Sequence, residues 1–276
     1  MLDNAYKDLS FSPHKGLFEI EPELMKHGIE FNSVAKFHGY AGRKGPGFAV
    51  SQNTDDIAML RRQLNPDLGI GAGNEAFLKA AFSPNYFTPE RIEKTLGMYR
   101  RRCNFVTNYI NAQLKPTIGS NHQIALSTEG GMFVFADFNH WLGKKIEPKE
   151  SRALRNLLCE TMPENSDYFN HEVFKNNRIN DDKDLSLYLM LKAHIVTIPG
   201  QDFGASPEDG MLRIALGDIG DLTTYRKTTS TEQFANYLPN EPDLRNKPLN
   251  DLRKLKSGMD RVISTLRNLE QEKTRS

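Results

Sequence analysis

Apolar residues recur along the chain in two rhythms, and the changes between them mark out its elements. Ile29 and Phe31 alternate ahead of Ser33 as a short strand, and Phe48-Ala49-Val50 reads as a second. Residues 55–64 carry Ile57, Leu60 and Leu64 at helical spacing. Asn65-Pro66 to Gly73 then turns, and Glu75 to Phe82 forms another helix. Thr88-Pro89-Glu90 is a helix start, with a capping threonine and a proline in the first turn. Ile92, Leu96, Tyr99, Cys103, Val106 and Ile110 follow at intervals of three and four, predicting one long amphipathic helix to about Leu114. Gly130 to Phe138 reads as a buried strand, Ser151 to Thr161 and Leu185 to Lys192 as helices, and His194 to Ile198 and Met211 to Leu216 as strands. Between them, Asn165 to Lys183 is rich in Asn and Asp. Residues 221–248 are polar, and Leu252, Leu255, Met259, Val262, Leu266 and Leu269 then repeat as a helix. That seam is short for a coiled coil and predicts docking on the body.

These elements place the chain in the α/β class, with a first region at 1–87, a linking helix and second region at 88–220, and a polar segment with a helical tail at 221–276. Composition changes this picture little. With 36 basic and 35 acidic residues in 276, charge implies neither nucleic acid nor membrane as a partner. No apolar run approaches a membrane span, and no basic start leads into an apolar stretch, so a cytoplasmic location is expected. Cys103 and Cys159, far apart in sequence, read as reduced thiols. The seven histidines show no metal spacing, so no metal site is expected, and His38 reads as packing or as support for a neighbour. Arg100-Arg101-Arg102 reads as a solvated helix face.

The candidate chemistry is concentrated where the first strand ends. Ser33-Val-Ala-Lys36 runs into a glycine-rich basic turn, Gly39 to Gly47, which contains Arg43 and Lys44 and is too rich in glycine for a helix. Loops that end strands are where open α/β sheets bind ligands. A lysine buried beside aromatic residues and close to other cations has its pKa lowered, and a partly neutral amine attacks carbonyls. Ser33 with Arg43 or Lys44 supplies a hydroxyl and a cation, the groups that hold a phosphate. Together they suggest pyridoxal 5′-phosphate. Ser-x-x-Lys also occurs in serine acylases and penicillin-binding enzymes, and Lys256-Ser257-Gly258 imitates their second motif. Those enzymes start a helix at the serine and place the second motif on a strand, which the patterns here oppose.

Ser33-Val-Ala-Lys36 followed by Gly42, a basic residue and Gly47-Phe48-Ala49-Val50 resembles the lysine-bearing segment of fold-type I, class I/II aminotransferases. Ile29-Glu-Phe31 before it is similar to their diaminopimelate and alanine aminotransferase branch. Asp3-Asn-Ala-Tyr6 resembles the family's Asp-x-x-Tyr, Gly130-Gly131-Met-Phe its Gly-Gly-x-Phe, and Gly210-Met-Leu-Arg213 its substrate-binding strand, preceded by Pro199-Gly200 and Phe203-Gly204. One departure is that Arg43 directly follows Gly42, while Lys44 occupies the family's usual arginine offset, so both stay open as the phosphate's cation.

The resemblance implies a large-domain parallel sheet followed by an α+β small domain. It implies an aminotransferase in which Lys36 forms a Schiff base with the cofactor, Asp3 pairs with the pyridine nitrogen and Tyr6 bonds the ring oxygen. Ser33 with Arg43 or Lys44 would hold the phosphate, and Arg213 the α-carboxylate of an amino acid or 2-oxo acid. It also implies a homodimer in the full-length form. Because Asp3 stands at the start, the family pattern implies a chain lacking the first part of the large domain, hence inactive alone. Residues 139–184 are longer than the family's equivalent and read as an insertion. Other fold-type I reactions use the same residues: β-decarboxylation, lyase chemistry and aminocyclopropane-carboxylate synthesis. Outside enzymes, the reading is a non-catalytic remnant or dimer partner.

Overall fold

The computed structural model describes residues 1–38, 47–63, 71–119, 123–217 and 250–271. The chain divides into two compact units. The first comprises Met1–Arg100 with Glu129–Gly131, and the second Arg101–Thr128 with Met132–Ser276.

In the first unit, β1 (Leu2–Asp3) pairs parallel to β2 (Glu30–Ser33), which pairs antiparallel to β3 (Gly47–Val50). The register sets Asp3 opposite Phe31 and Ser33 opposite Gly47. Behind these strands Leu9, Ile29, Val34 and Phe37 are buried, so the apolar positions flanking the sheet anchor it. The short α1 (Leu17–Ile20) and a 3₁₀ turn at Pro22–Lys26 lie between the first two strands. Helix α2 (Thr54–Gln63) begins at Asn53, whose side-chain oxygen accepts from the Asp55 amide at 3.0 Å, and α3 is Gly71–Ala81.

Helix α4 (Pro89–Ile118) opens as its sequence predicts, with Thr88 Oγ1 accepting from the Arg91 amide at 3.3 Å. It runs a turn beyond Leu114 despite Pro116. Gly119, at φ +61°, ends it by donating to the Lys115 carbonyl at 3.1 Å.

The second unit is built on an antiparallel sheet in which β6 (Met211–Ala215) lies between β4 (Phe133–Asp137) and β5 (Ile198–Pro199). Helices α5 (Pro148–Thr161), α6 (Ser166–His171), α7 (Asp182–Ala193) and α8 (Asn250–Gln271) surround a core that includes Trp141, Phe138, Leu158 and Leu189. The strand expected from His194 is reduced to two residues. His194 takes a left-handed conformation at the end of α7, and Thr197 turns back, its Oγ1 and carbonyl bonding Ser186 Oγ at 3.0 and 2.9 Å. The segment read as an insertion is packed: Phe169, Val173, Phe174 and Ile179 are buried. Asp184 gathers the amides of Phe174 and Asn180 at 3.1 and 2.9 Å, which fixes the chain ahead of α7.

Helix α8 docks on this unit through its apolar seam, with Leu252, Met259, Val262, Leu266 and Leu269 buried. Trp141 Nε1 donates to the Leu266 carbonyl at 3.0 Å, and Lys144 pairs with Glu270 at 2.7 Å. The same docking corrects the reading of the arginine run. Arg102 is buried and bonds Asp251 at 3.0 Å and the Leu216 carbonyl at 3.0 Å, and Arg101 is buried as well. A partner helix from far along the chain covers what its own helix would have left in water.

Candidate functional site

In the first unit, β2 delivers Ser33 as its last residue, and the chain then turns through residues 34–38. Ser33 Oγ accepts from the Ala35 amide at 3.0 Å, a local turn that reverses the chain directly after the strand. Val34 and Phe37 point into the core, and Lys36 between them is directed outward and half-buried. Its exposure is greater than the buried amine that its aromatic neighbours suggest. Its Nζ lies 5.1 Å from the centroid of the Tyr6 ring. Tyr6 reaches this position because β1 runs parallel beside β2 and the chain then turns, with the Asp3 carboxylate accepting from the Ala5 amide at 3.0 Å. Asp3 is exposed, one strand away from the strand that ends in Ser33. Thus Lys36 and Tyr6 meet, and Asp3 and Ser33 lie on adjoining strands. Arg43 and Lys44 lie outside the described residues.

This geometry opposes the acylase alternative. Ser33 ends a strand where that chemistry needs a helix start, and Lys256-Ser257-Gly258 lies within α8.

His38, which the sequence reads as packing or support for a neighbour, has aromatic surroundings. Its ring lies 5.0 Å from Phe37, 5.8 Å from Phe82 and Tyr86, and 5.7 Å from Phe87, centroid to centroid. Among the described residues, neither ring nitrogen has a hydrogen-bond partner. Burial, and then the charge of Arg91, holds this imidazole below its ordinary range.

Arg213 belongs to the second unit, in the middle strand β6. Its direct cross-strand neighbours are Phe135 and Ile198. The guanidinium carbon lies 4.2 Å from the centroid of Phe133 and 4.1 Å from that of Phe203, so two rings pack on it. Its Nε is buried and has no hydrogen-bond partner among the described residues. The role of these rings was missed by sequence reading. The available signal was period two on β4, which puts Phe133 and Phe135 on the face that carries Arg213.

No protein-family model and no curated protein matches the chain. Solved structures do. A putative aminotransferase from Clostridium difficile with pyridoxal phosphate bound is 16% identical, with a TM-score of 0.58, covering 96% of this chain and 49% of its own. An aromatic aminotransferase from Pyrococcus horikoshii is 15% identical, with a TM-score of 0.57, covering 98% and 51%. The aspartate aminotransferase of Rhizobium meliloti is 18% identical, with a TM-score of 0.54, covering 95% and 48%. The chain spans about half the length of the structures it matches. At these identities the likeness is one of fold alone: an α/β architecture shared with about half of each of these structures.

Proposed function

We propose that the chain carries the lysine of a pyridoxal 5′-phosphate-dependent aminotransferase that acts on an α-amino acid, with a 2-oxo acid as the other substrate. The observation that supports this most is the approach of Lys36 Nζ to the Tyr6 ring at the end of β2, in a fold shared with aminotransferases. The donor set fits the cofactor's ring end: an amine for its aldehyde carbon, a phenol for its ring oxygen and a carboxylate, Asp3, for its pyridine nitrogen. Ser33, with Arg43 or Lys44, is suited to the phosphate, and Arg213, whose buried Nε has no partner among the described residues, to the substrate's α-carboxylate. When bound, the cofactor supplies an electron sink for the pair of electrons left at the substrate's Cα.

The protein's own part is to bind, orient and move a proton. Lys36 is the base for the Cα proton, since a half-buried amine beside a phenol ring is held near one position and is partly shielded from water. Asp3, a carboxylate, favours a protonated nitrogen opposite it. Tyr6 would donate a hydrogen bond to the ring oxygen. Arg213 would hold the substrate's α-carboxylate by a bidentate grip. The working unit is proposed to be a homodimer.

A titration of residues 1–276 with pyridoxal 5′-phosphate, followed by the visible absorption of the bound aldehyde, tests this. Wild type is expected to develop the band, Lys36→Ala to abolish it, and Tyr6→Phe to weaken binding about tenfold through one lost hydrogen bond. A band of the same strength in Lys36→Ala contradicts the reading.

A further inference from the structure

Phe203 is half-exposed, yet it is held in place from three directions. It leaves the 3₁₀ turn at Gly200–Phe203 that follows β5, and the ring of Phe135 meets it edge-on at 5.8 Å. The turn lies against β6 because Gly200 has no side chain. A Cβ there would stand 2.6 Å from Met211 Cβ and 2.9 Å from the Met211 carbonyl oxygen. The turn is also tied to the start of α7, where buried Asp182 accepts from the Gln201 amide at 2.8 Å and from the Gln201 side-chain amide. Four residues of turn are thus spent on bringing one ring to within 4.1 Å of Arg213.

We propose that Phe203 is a positioning residue that acts through Arg213, with Phe133 as its counterpart on β4. The proposal rests on the reading of Arg213 as the carboxylate-binding arginine and adds how that arginine is prepared. A free arginine side chain samples many rotamers, and a ligand that binds it must stop that motion. Two rings against the guanidinium stop it beforehand. They also displace water from its surface, which strengthens hydrogen bonds made in its plane. What is left for a ligand is the edge of the guanidinium, where the buried Nε has no partner among the described residues. An edge of parallel N–H groups matches a planar carboxylate. The ring therefore prepays ordering that the substrate would otherwise bear, and its removal weakens binding of the carboxylate without removing the charge.

The test uses the full chain labelled with ¹⁵N and follows the arginine Nε–H resonances, with Arg213 assigned by its loss in Arg213→Lys. Pyruvate, the probe, is expected to move the Arg213 resonance in wild type. Phe203→Leu keeps apolar bulk but removes the ring, and it is expected to raise the pyruvate Kd about threefold to thirtyfold and to shift the unliganded Arg213 resonance. Phe203→Tyr, which keeps the ring, stays within about twofold of wild type. The Arg102 resonance, held in a buried ion pair with Asp251, reports that each variant is folded. If Phe203→Leu binds pyruvate as tightly as wild type, the positioning role is wrong while the carboxylate reading of Arg213 stands. If saturating pyruvate leaves the wild-type Arg213 resonance unmoved, the carboxylate reading fails and the positioning role falls with it.

Discussion

Lys36 Nζ stands 5.1 Å from the centroid of the Tyr6 ring, a pairing made by two strands that lie parallel and side by side. Parallel neighbours need a long connection, and residues 4–29 between β1 and β2 provide it. The register sets where each turn leaves its strand, and the two turns then carry Tyr6 and Lys36 to each other.

Gly200→Ala tests the close approach that brings Phe203 to Arg213. The added methyl meets Met211 at both Cβ and carbonyl, so the turn must move away from β6. A loss of about 2 kcal/mol in urea unfolding is expected. The Arg213 Nε–H resonance should shift as well, as it does in Phe203→Leu. Unchanged stability and an unchanged resonance would mean that the turn tolerates displacement.

Asp251→Ala tests how α8 is held. The Arg102–Asp251 pair is about 5% and 6% exposed in its side chains, so removing the carboxylate takes a buried counter-charge away from a buried guanidinium. Destabilisation of about 3 kcal/mol is expected. The Leu216 carbonyl still accepts from Arg102, so complete unfolding is not expected. A change below about 1 kcal/mol would show that water replaces the carboxylate.

His38 gives a pH dependence with a definite sign. Its folded imidazole is held below the ordinary value of 6.5 by burial and then by Arg91, whose guanidinium packs on the Tyr86 ring at 3.5 Å. The unfolded chain takes up the proton first as pH falls. Stability is therefore present above about pH 6.5 and lost as pH drops through the folded value. His38→Phe keeps an aromatic ring in the cluster and removes the titration. The difference in melting temperature between variant and wild type should be flat above about pH 7 and should grow toward pH 5. A difference that does not change with pH would exclude His38 from the acid response.

Cys103 is expected to be chemically silent. Burial pushes its thiol up to about 12, opposed only in part by Arg102. At pH 8 its thiolate fraction is then on the order of a thousandfold below that of an ordinary exposed thiol. A thiol reagent on the folded chain should modify Cys159, which is half-buried, and leave Cys103 intact until the protein unfolds. Rapid modification of both in the native protein would contradict the burial of α4 at this position.

The sequence made the elements legible wherever one apolar rhythm ran unbroken, as in α4 and α8. It was less informative where distant partners decide the outcome. Arg102 looks like part of a solvated face until Asp251 arrives from 149 residues downstream. The strand expected at His194 is lost because Thr197 bonds back to Ser186, a tertiary choice that no local pattern announces. At the candidate site, Lys36 and Tyr6 were legible as motif residues, and so was Arg213. Phe133 and Phe203 stand in quoted motifs too, but their packing on Arg213 was not legible, because one ring comes from a neighbouring strand and the other from a turn whose approach depends on a missing Cβ at Gly200.

The central claim is that Lys36 is the amine that bonds the cofactor, and a trapping experiment tests it most directly. Residues 1–276 are incubated with pyridoxal 5′-phosphate, reduced with borohydride, digested and mapped by mass spectrometry. Lys36 beside Tyr6 predicts the pyridoxyl group on the peptide that contains Ser33 to Lys36, with Lys36→Ala leaving only scattered labelling of exposed lysines. Specific labelling of a different lysine, with Lys36 unmodified, would contradict the account.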